Sequence, residues 1–389
     1  MTPAFLACCF FLQTPTPEAI EHAQTGAAAA QQGRLDEAIR EFRKVTELQP
    51  NSAVAFAHLG DAYFQNGEYI AAIPELEHAL RLNPGLNDTH ETLGVVLLME
   101  GNAEAALPHL EKMPTPELIG LAYLETGRLG AAITELEAAL KKHPNDTNLL
   151  YYFGRAAALA SKQSLDQLAA IDPELARKSV AAPENASQPD LVSLVNALSK
   201  KPNDPNLLFA VNRAAEQASK AAFDRIFASA PDCARAHQLS AERAFAEGRL
   251  AEAEGEYAES LRLKPYTSGV HLAFGNVLAA QGNWPAAMAQ FGAEMKLRPF
   301  NADAFYSLGS LLLAQGQARA AVEQLAEAGR LKPESPQILL ELGRAALAAN
   351  DPARAEAAWT KLLAIDSKSA LAASARQALS KLKNPGAAH

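Results

Sequence analysis

The sequence predicts an all-α solenoid, and three observations carry that prediction. Gly248, Gly282, Gly316 and Asn350 follow one another every 34 residues, and Pro265, Pro299 and Pro333 keep the same beat seventeen residues later. A fixed period of this length marks an array of helical hairpins. Hydrophobic residues make up 49% of the 389-residue chain while aromatics make up only 6%, a composition that suits closely packed helices better than a sheet. Each unit between successive prolines also reads as two short amphipathic stretches around one glycine, the smallest arrangement that presents an apolar face to neighbours on both sides.

Aligned on the turn residue, the units run 19–52, 53–86, 87–112, 113–146, a fifth from Thr147, then 234–267, 268–301, 302–335 and 336–367. The turn residues are Gly33, Gly67, Gly101, Gly127, Gly248, Gly282, Gly316 and Asn350. Glycine and asparagine tolerate the left-handed conformation that ends a helix, so Asn350 can stand where the others carry glycine. Seven residues before each turn comes a small residue: Gly26, Gly60, Gly94, Gly120, Ala241, Gly275, Gly309 and Gly343. Five residues after each comes an alanine, from Ala38 to Ala355, and four residues later a large apolar one: Phe42, Leu76, Leu110, Leu136, Tyr257, Phe291, Leu325 and Trp359. The small residues let the two helices of a unit approach, and the large ones fill the layer between them.

This pattern resembles the tetratricopeptide repeat (TPR) family, a helix-turn-helix unit with a small eighth residue, alanine at twenty, a large apolar residue at twenty-four and proline at thirty-two. Leu59-Gly60 with Tyr63 and Leu308-Gly309 with Leu312 carry the first-helix signature, and Pro50, Pro84, Pro144, Pro231, Pro265, Pro299 and Pro333 the closing proline. The resemblance implies a right-handed superhelix with a concave face that binds a protein or peptide, lined by positions two, five, nine, twelve and thirteen of each first helix. Carried onto this chain, those positions give Asp61, Phe64, Tyr151, Arg155, Arg235, Gln238, Glu242, Phe245, Asn276, Tyr306, Ser310 and Arg344 as candidate partner-binding residues. The Lys and Asn pair with which some members of the family grip a C-terminal carboxylate is not reproduced, since Asn276 stands at nine but Leu272 at five.

Two irregularities interrupt the array. The period drops by eight residues around residues 113–116, which should shorten the helices on either side. From 161 to 233 the expected turn position is Ser161, Pro173 breaks the next helical stretch and residues 181–189 (AAPENASQP) read as a loop. That segment is expected to hold degenerate repeats and to join a first repeat block, 19–160, to a second, 234–367. Residues 370–382 form an amphipathic stretch suited to cap the last repeat within the tail 368–389.

Outside the array, residues 4–12 (AFLACCFFL) form an apolar run of signal-peptide length, followed by polar, proline-rich residues 13–17, so segment 1–18 is expected to target or anchor the chain. No Lys or Arg precedes Arg34, so the basic start of such a signal is missing. Export to a bacterial periplasm and a cytoplasmic location both stay open, as do cleavage and lipidation at Cys8. With a net charge of -9, the chain is ill suited to a polyanion, and no nucleic-acid partner is expected.

Candidate chemistry gives way to packing. His22, His90, His237 and His271 share the fourth position of their units and have no Cys, Asp or Glu at ligand spacing. Cys233 has no adjacent base, and no phosphate loop, nucleophile elbow or CxxC occurs. The expectation is a non-enzymatic interaction scaffold with no cofactor and no metal. The alternatives are a structural spacer in a larger complex and a small regulatory or catalytic module within 161–233.

Overall fold

The computed structural model describes residues 16–112, 115–181, 190–267 and 269–383. These residues form 21 α-helices, with no strand among them. The N-terminal apolar run and nearly all of the expected loop at 181–189 lie outside the described residues. The chain divides into two compact units, Met1–Ala122 and Tyr123–His389. The division falls inside a helix of the shortened fourth repeat, not in the 161–233 segment.

The first unit holds three hairpins: α1 (Pro17–Gln31) with α2 (Leu35–Leu48), α3 (Ala53–Gln65) with α4 (Tyr69–Leu82), and α5 (Asn87–Met99) with α6 (Ala103–Leu110). α7 (Pro116–Glu125) crosses the division and α8 (Leu129–Lys142) follows it. The eight missing residues shorten α6 to 8 residues and α7 to 10, against 11 to 15 in the regular units.

The second unit continues with α9 (Thr147–Ile171), α10 (Pro173–Ala181), α11 (Leu191–Lys200) and α12 (Pro205–Ser229). Four regular hairpins come next: α13 (Ala234–Ala246) with α14 (Leu250–Leu263), α15 (Val270–Ala280) with α16 (Trp284–Leu297), α17 (Ala302–Ala314) with α18 (Ala318–Leu331), and α19 (Pro336–Ala348) with α20 (Pro352–Ile365). α21 (Ala370–Lys383) packs on α19 and α20, sinking Ala372 and Ala375 into the last layer.

Each turn is built as its residue type requires. All seven turn glycines have φ between +71° and +81°, and Asn350 has φ +63°. Gly33 donates to the Ala30 carbonyl at 3.0 Å and Arg34 to the Ala29 carbonyl at 2.9 Å, so the last carbonyls of α1 are satisfied within the turn. The second of these bonds recurs at every other turn, from Glu68 to Tyr63 through to Asp351 to Ala346. Several first helices begin on side-chain caps, among them Ser52, Asp146, Asn301 and Ser335, each accepting from a backbone N–H of the first turn.

The layer inside each hairpin follows the small and large positions. A Cβ placed on Gly60 would lie 2.6 Å from Leu76 Cγ, and one on Gly309 2.7 Å from Leu325 Cγ, so glycine sets how closely the helices meet. The alanines from Ala38 to Ala355 are wholly buried, as are Leu76, Leu110, Leu136 and Leu325. Burying each such leucine contributes about 1.5–3 kcal/mol. The fourth-position histidines reach across to the second helix: His22 meets Glu41 at 2.6 Å, His237 meets Glu256 at 2.7 Å and His271 meets Gln290 at 2.7 Å.

The segment 161–233 does not hold degenerate repeats. α9 runs through Ser161 without a turn, because nothing there takes a left-handed conformation and Ser161 is bonded to Asn212 of α12. α12 likewise runs without a break from Pro205 to Ser229. These two helices are the partners of one hairpin: Gly154 of α9 faces Phe223 of α12 as Gly26 faces Phe42 and Gly275 faces Phe291. In the regular pairs 16 residues separate the two, and here 69 do, so 53 residues are inserted inside a single repeat. Phe223 and Pro231 then hold positions twenty-four and thirty-two, and the next unit starts on time at Ala234. The insertion lengthens both helices and adds α10 and α11, which pack on α9 and α12; α11 also sets Val195 near Gly130 of α8.

Candidate interaction site on the first helices

Within the second unit, five candidate residues fall into one polar network between α9 and α13. Tyr151 donates its hydroxyl to Glu242 Oε1 at 2.8 Å, and Gln238 Nε2 donates to the same hydroxyl at 2.5 Å and to Glu242 at 3.0 Å. Arg155 Nη1 approaches the Tyr151 hydroxyl at 3.3 Å and Glu242 at 3.4 Å. Arg235 Nη1 donates to Gln238 Oε1 at 2.6 Å, and its other nitrogens donate to Asn148 Oδ1 at 2.9 Å and to the Tyr152 hydroxyl at 2.8 Å. The Arg235 guanidinium also lies 4.3 Å from the Tyr151 ring centre and 4.9 Å from that of Tyr152, a cation held between two aromatic rings.

Burial separates this network into two parts. Tyr151, Arg235 and Gln238 are no more than 5% exposed, so they join successive first helices and offer no surface to a ligand. Burial, reinforced by the Glu242 carboxylate, pushes the Tyr151 phenol up and keeps it a hydrogen-bond donor. Arg155 and Glu242 form the accessible edge, with side chains 44% and 28% exposed. The Arg155 guanidinium is held further up by Tyr151 and Glu242. Asn148 and Tyr152 belong to the network although sequence reasoning passed over them; Asn148 stands at position two, a concave position, and could have been found from register alone.

The remaining candidates are spread along their units. Phe245 and Asn276 are exposed, and Arg344 is half-exposed and paired with Glu341 at 2.5 Å. Tyr306 and Ser310 are half-buried, and Ser310 Oγ is an enclosed hydroxyl with no hydrogen-bond partner among the described residues. Exposed Leu159 and Leu347, at positions thirteen and twelve, add apolar surface that the candidate set lacked. Arg298, after α16, donates to Glu125 of α7 at 2.5 Å and ties the seventh hairpin to the fourth.

In the first unit Phe64 packs its ring 5.9 Å from that of Tyr69, at the start of the second helix. Asp61 is half-buried with Oδ1 enclosed and unpartnered among the described residues, and burial pushes its carboxyl up. Ile20, Ala23 and Ala27, at positions two, five and nine of α1, line an apolar cleft of about 440 Å³ with Val54 and His58 of α3. Ile20 and Val54 are 43% and 52% exposed there. No group of three or more metal-ligating side chains occurs among the described residues, and none of their helices is long and apolar enough to cross a membrane.

Tandem hairpins with left-handed turns, a small-to-large contact inside each hairpin and first helices stacked on one another define an α-solenoid repeat protein. Tetratricopeptide repeat profiles match residues 118–173, 272–336 and 310–372, a second such profile matches 53–86, and a TPR repeat profile matches 26–67, together more than half of the chain. The chain belongs to the tetratricopeptide repeat family. Among solved structures it is similar to the crystal structure of yeast Tom70, with 14% identity and TM-score 0.38 over 94% of this chain and 95% of that one. It is similar also to the APC/C hetero-tetramer Cut9-Hcn1 (16% identity, TM-score 0.38, 95% of this chain and 84% of that one). A third likeness is to MamA protein (16% identity, TM-score 0.35, 46% of this chain and 92% of that one). No curated protein is found to match the chain.

Proposed function

We propose that the protein is a non-enzymatic scaffold that holds a segment of a partner protein against the first helices of its repeats. The observation that carries this reading is the apolar cleft lined by Ile20, Ala23 and Ala27 of α1, Phe42 and Val45 of α2 and Val54 of α3, a lining that includes positions two, five and nine of the first helix. Repeat architecture explains why these positions are inward-facing yet need not fill the core, so exposed Ile20 and Val54 there stand in want of a cover. Exposed Phe245, Leu159 and Leu347, interspersed with Arg155, Glu242 and Arg344, continue the same mixture of apolar area and charge in the second unit. Such a mixture lets apolar groups supply affinity while charges select the partner and its register.

A photo-crosslinking residue placed at Ala23 tests the reading, with the same residue at Arg330, on a second helix, as control. A discrete crosslinked partner at Ala23 and none at Arg330 supports it; equal labelling, or none at either, sinks it. We also read residues 4–12 as an export signal. Sequencing the N-terminus of protein recovered from fractionated cells decides this: a start beyond residue 12 in the exported fraction supports export, and an intact start in the cytosol overturns it.

A further inference from the structure

We propose that the chain's own apolar run, residues 4–12, fills the cleft beside α1, and that removing the run opens the cleft to a partner. This regulation presupposes the docking role proposed for that cleft. Run and cleft are matched in charge. Ile20, Ala23, Phe42, Val45 and Val54 supply apolar lining, and no Asp, Glu, Lys or Arg lines the cleft among the described residues. A charged occupant would bury its charge there without a counter-ion, whereas an uncharged apolar one gains by leaving water. The run AFLACCFFL is such a segment, and no charged side chain precedes Glu18.

Position favours this run over any other apolar segment. α1 cannot be prolonged backward into it, because Thr16 caps the helix with extended backbone (φ -67°, ψ 151°) and Pro17 holds the first helical position. The chain therefore leaves α1 at the end where Ala19 and Ile20 begin the cleft. Residues 13–16 reach up to about 13 Å, enough to turn the run back alongside α1. Nine residues in a helix extend about 13 Å, and the cleft wall from Ile20 to Ala27 about 10 Å, so one face of the run covers that wall from end to end. A tether this short holds the run at the cleft at an effective concentration in the millimolar range, above that of a second copy or of a free partner. Ile20 and Val54, otherwise 43% and 52% exposed, are then covered before any partner arrives.

Cys8 and Cys9 lie inside the run and report on it directly. Their alkylation by a maleimide is followed by peptide mass spectrometry on the full, unprocessed chain, with Ile20→Glu and Val54→Glu together as the variant that spoils the cleft. Both residues are exposed, and circular dichroism checks that the variant keeps its helices. The expected result is alkylation at least tenfold slower in the parent chain than in the variant, at a rate independent of protein concentration, while Cys233 reacts equally in both. Equal rates at Cys8 and Cys9 overturn the proposal. So does protection that grows with concentration, which would place the run in the cleft of a second copy. The photo-crosslinker at Ala23 separates this cover from the scaffold itself. In the unprocessed chain it should join residues 4–12, and it should capture a partner only when Leu6→Gln, Phe10→Gln and Phe11→Gln are introduced together. A partner captured equally with and without those substitutions overturns the cover and keeps the scaffold. A protected run with no partner in either form overturns the scaffold and keeps the cover.

Discussion

The eighth hairpin, α17 with α18, and the fifth, α9 with α12, solve one packing problem in two ways. In the eighth, Gly316 turns the chain at φ +76° and Gly309 lets Leu325 in. In the fifth the turn is gone, yet Gly154 still admits Phe223 although 69 residues separate them. The lost turn is replaced by a buried polar junction: Asn212 donates to the Ser161 carbonyl at 3.0 Å and hydroxyl at 2.9 Å, and Ser179 donates to Asn212 Oδ1 at 2.7 Å. The repeat is therefore defined by its small-to-large contact, and the turn is one of two ways to bring that contact about.

Overpacking both contacts tests their equivalence most severely. Gly154→Leu and Gly309→Leu should each cost about 3 kcal/mol, read from denaturant midpoints. A silent Gly154 variant would show that the fifth hairpin does not use the shared contact. Next in size, Asn212→Leu leaves the partners at Ser161 and Ser179 unsatisfied and should cost about 2 kcal/mol. Amide exchange should then accelerate around Ser161 and Ser179 and stay slow in α17 and α18; uniform acceleration would mean the junction is not local.

A buried acid tests a regular turn. Glu100, just before Gly101, is 1% exposed, and burial pushes its carboxyl up to about 7. The folded state thus holds a proton that the unfolded chain releases near pH 4.5. The stability this gives is full below that value, and it is lost as pH rises toward 7. Glu100→Gln should flatten the fall in thermal midpoint between pH 4.5 and 7, and an unchanged slope would acquit Glu100. Smaller still, Gly316→Ala should cost about 1 kcal/mol because alanine resists positive φ. Asn350→Gly, at φ +63°, should shift stability by only a few tenths of a kcal/mol.

The regular hairpins were legible because glycine, alanine and proline each report a steric demand at a fixed register. The fifth was misread because Ser161 looked like a worn turn position, when α9 runs straight through it. A signal was present: counted back from Ala234, Phe223 and Pro231 already stand at positions twenty-four and thirty-two. For the candidate site, register places Tyr151, Arg155, Arg235, Gln238 and Glu242 on neighbouring first helices. It could not reveal that Arg235 lies between two tyrosine rings, since burial depends on the side chains opposite.

Placing the insertion inside a repeat also shapes how the chain folds. The regular hairpins close through contacts between residues about 16 apart along the sequence, the local kind that forms fastest. Joining Gly154 to Phe223 instead means closing a loop of 69 residues in place of 16, an added entropic cost of roughly 1 kcal/mol for a flexible chain. Helix growth spreading from the sixth hairpin therefore meets α12 before α9 is at hand. The fifth hairpin is therefore expected to be the last layer of its unit to assemble, which amide exchange pulsed during refolding would show as late protection of α9 and α12.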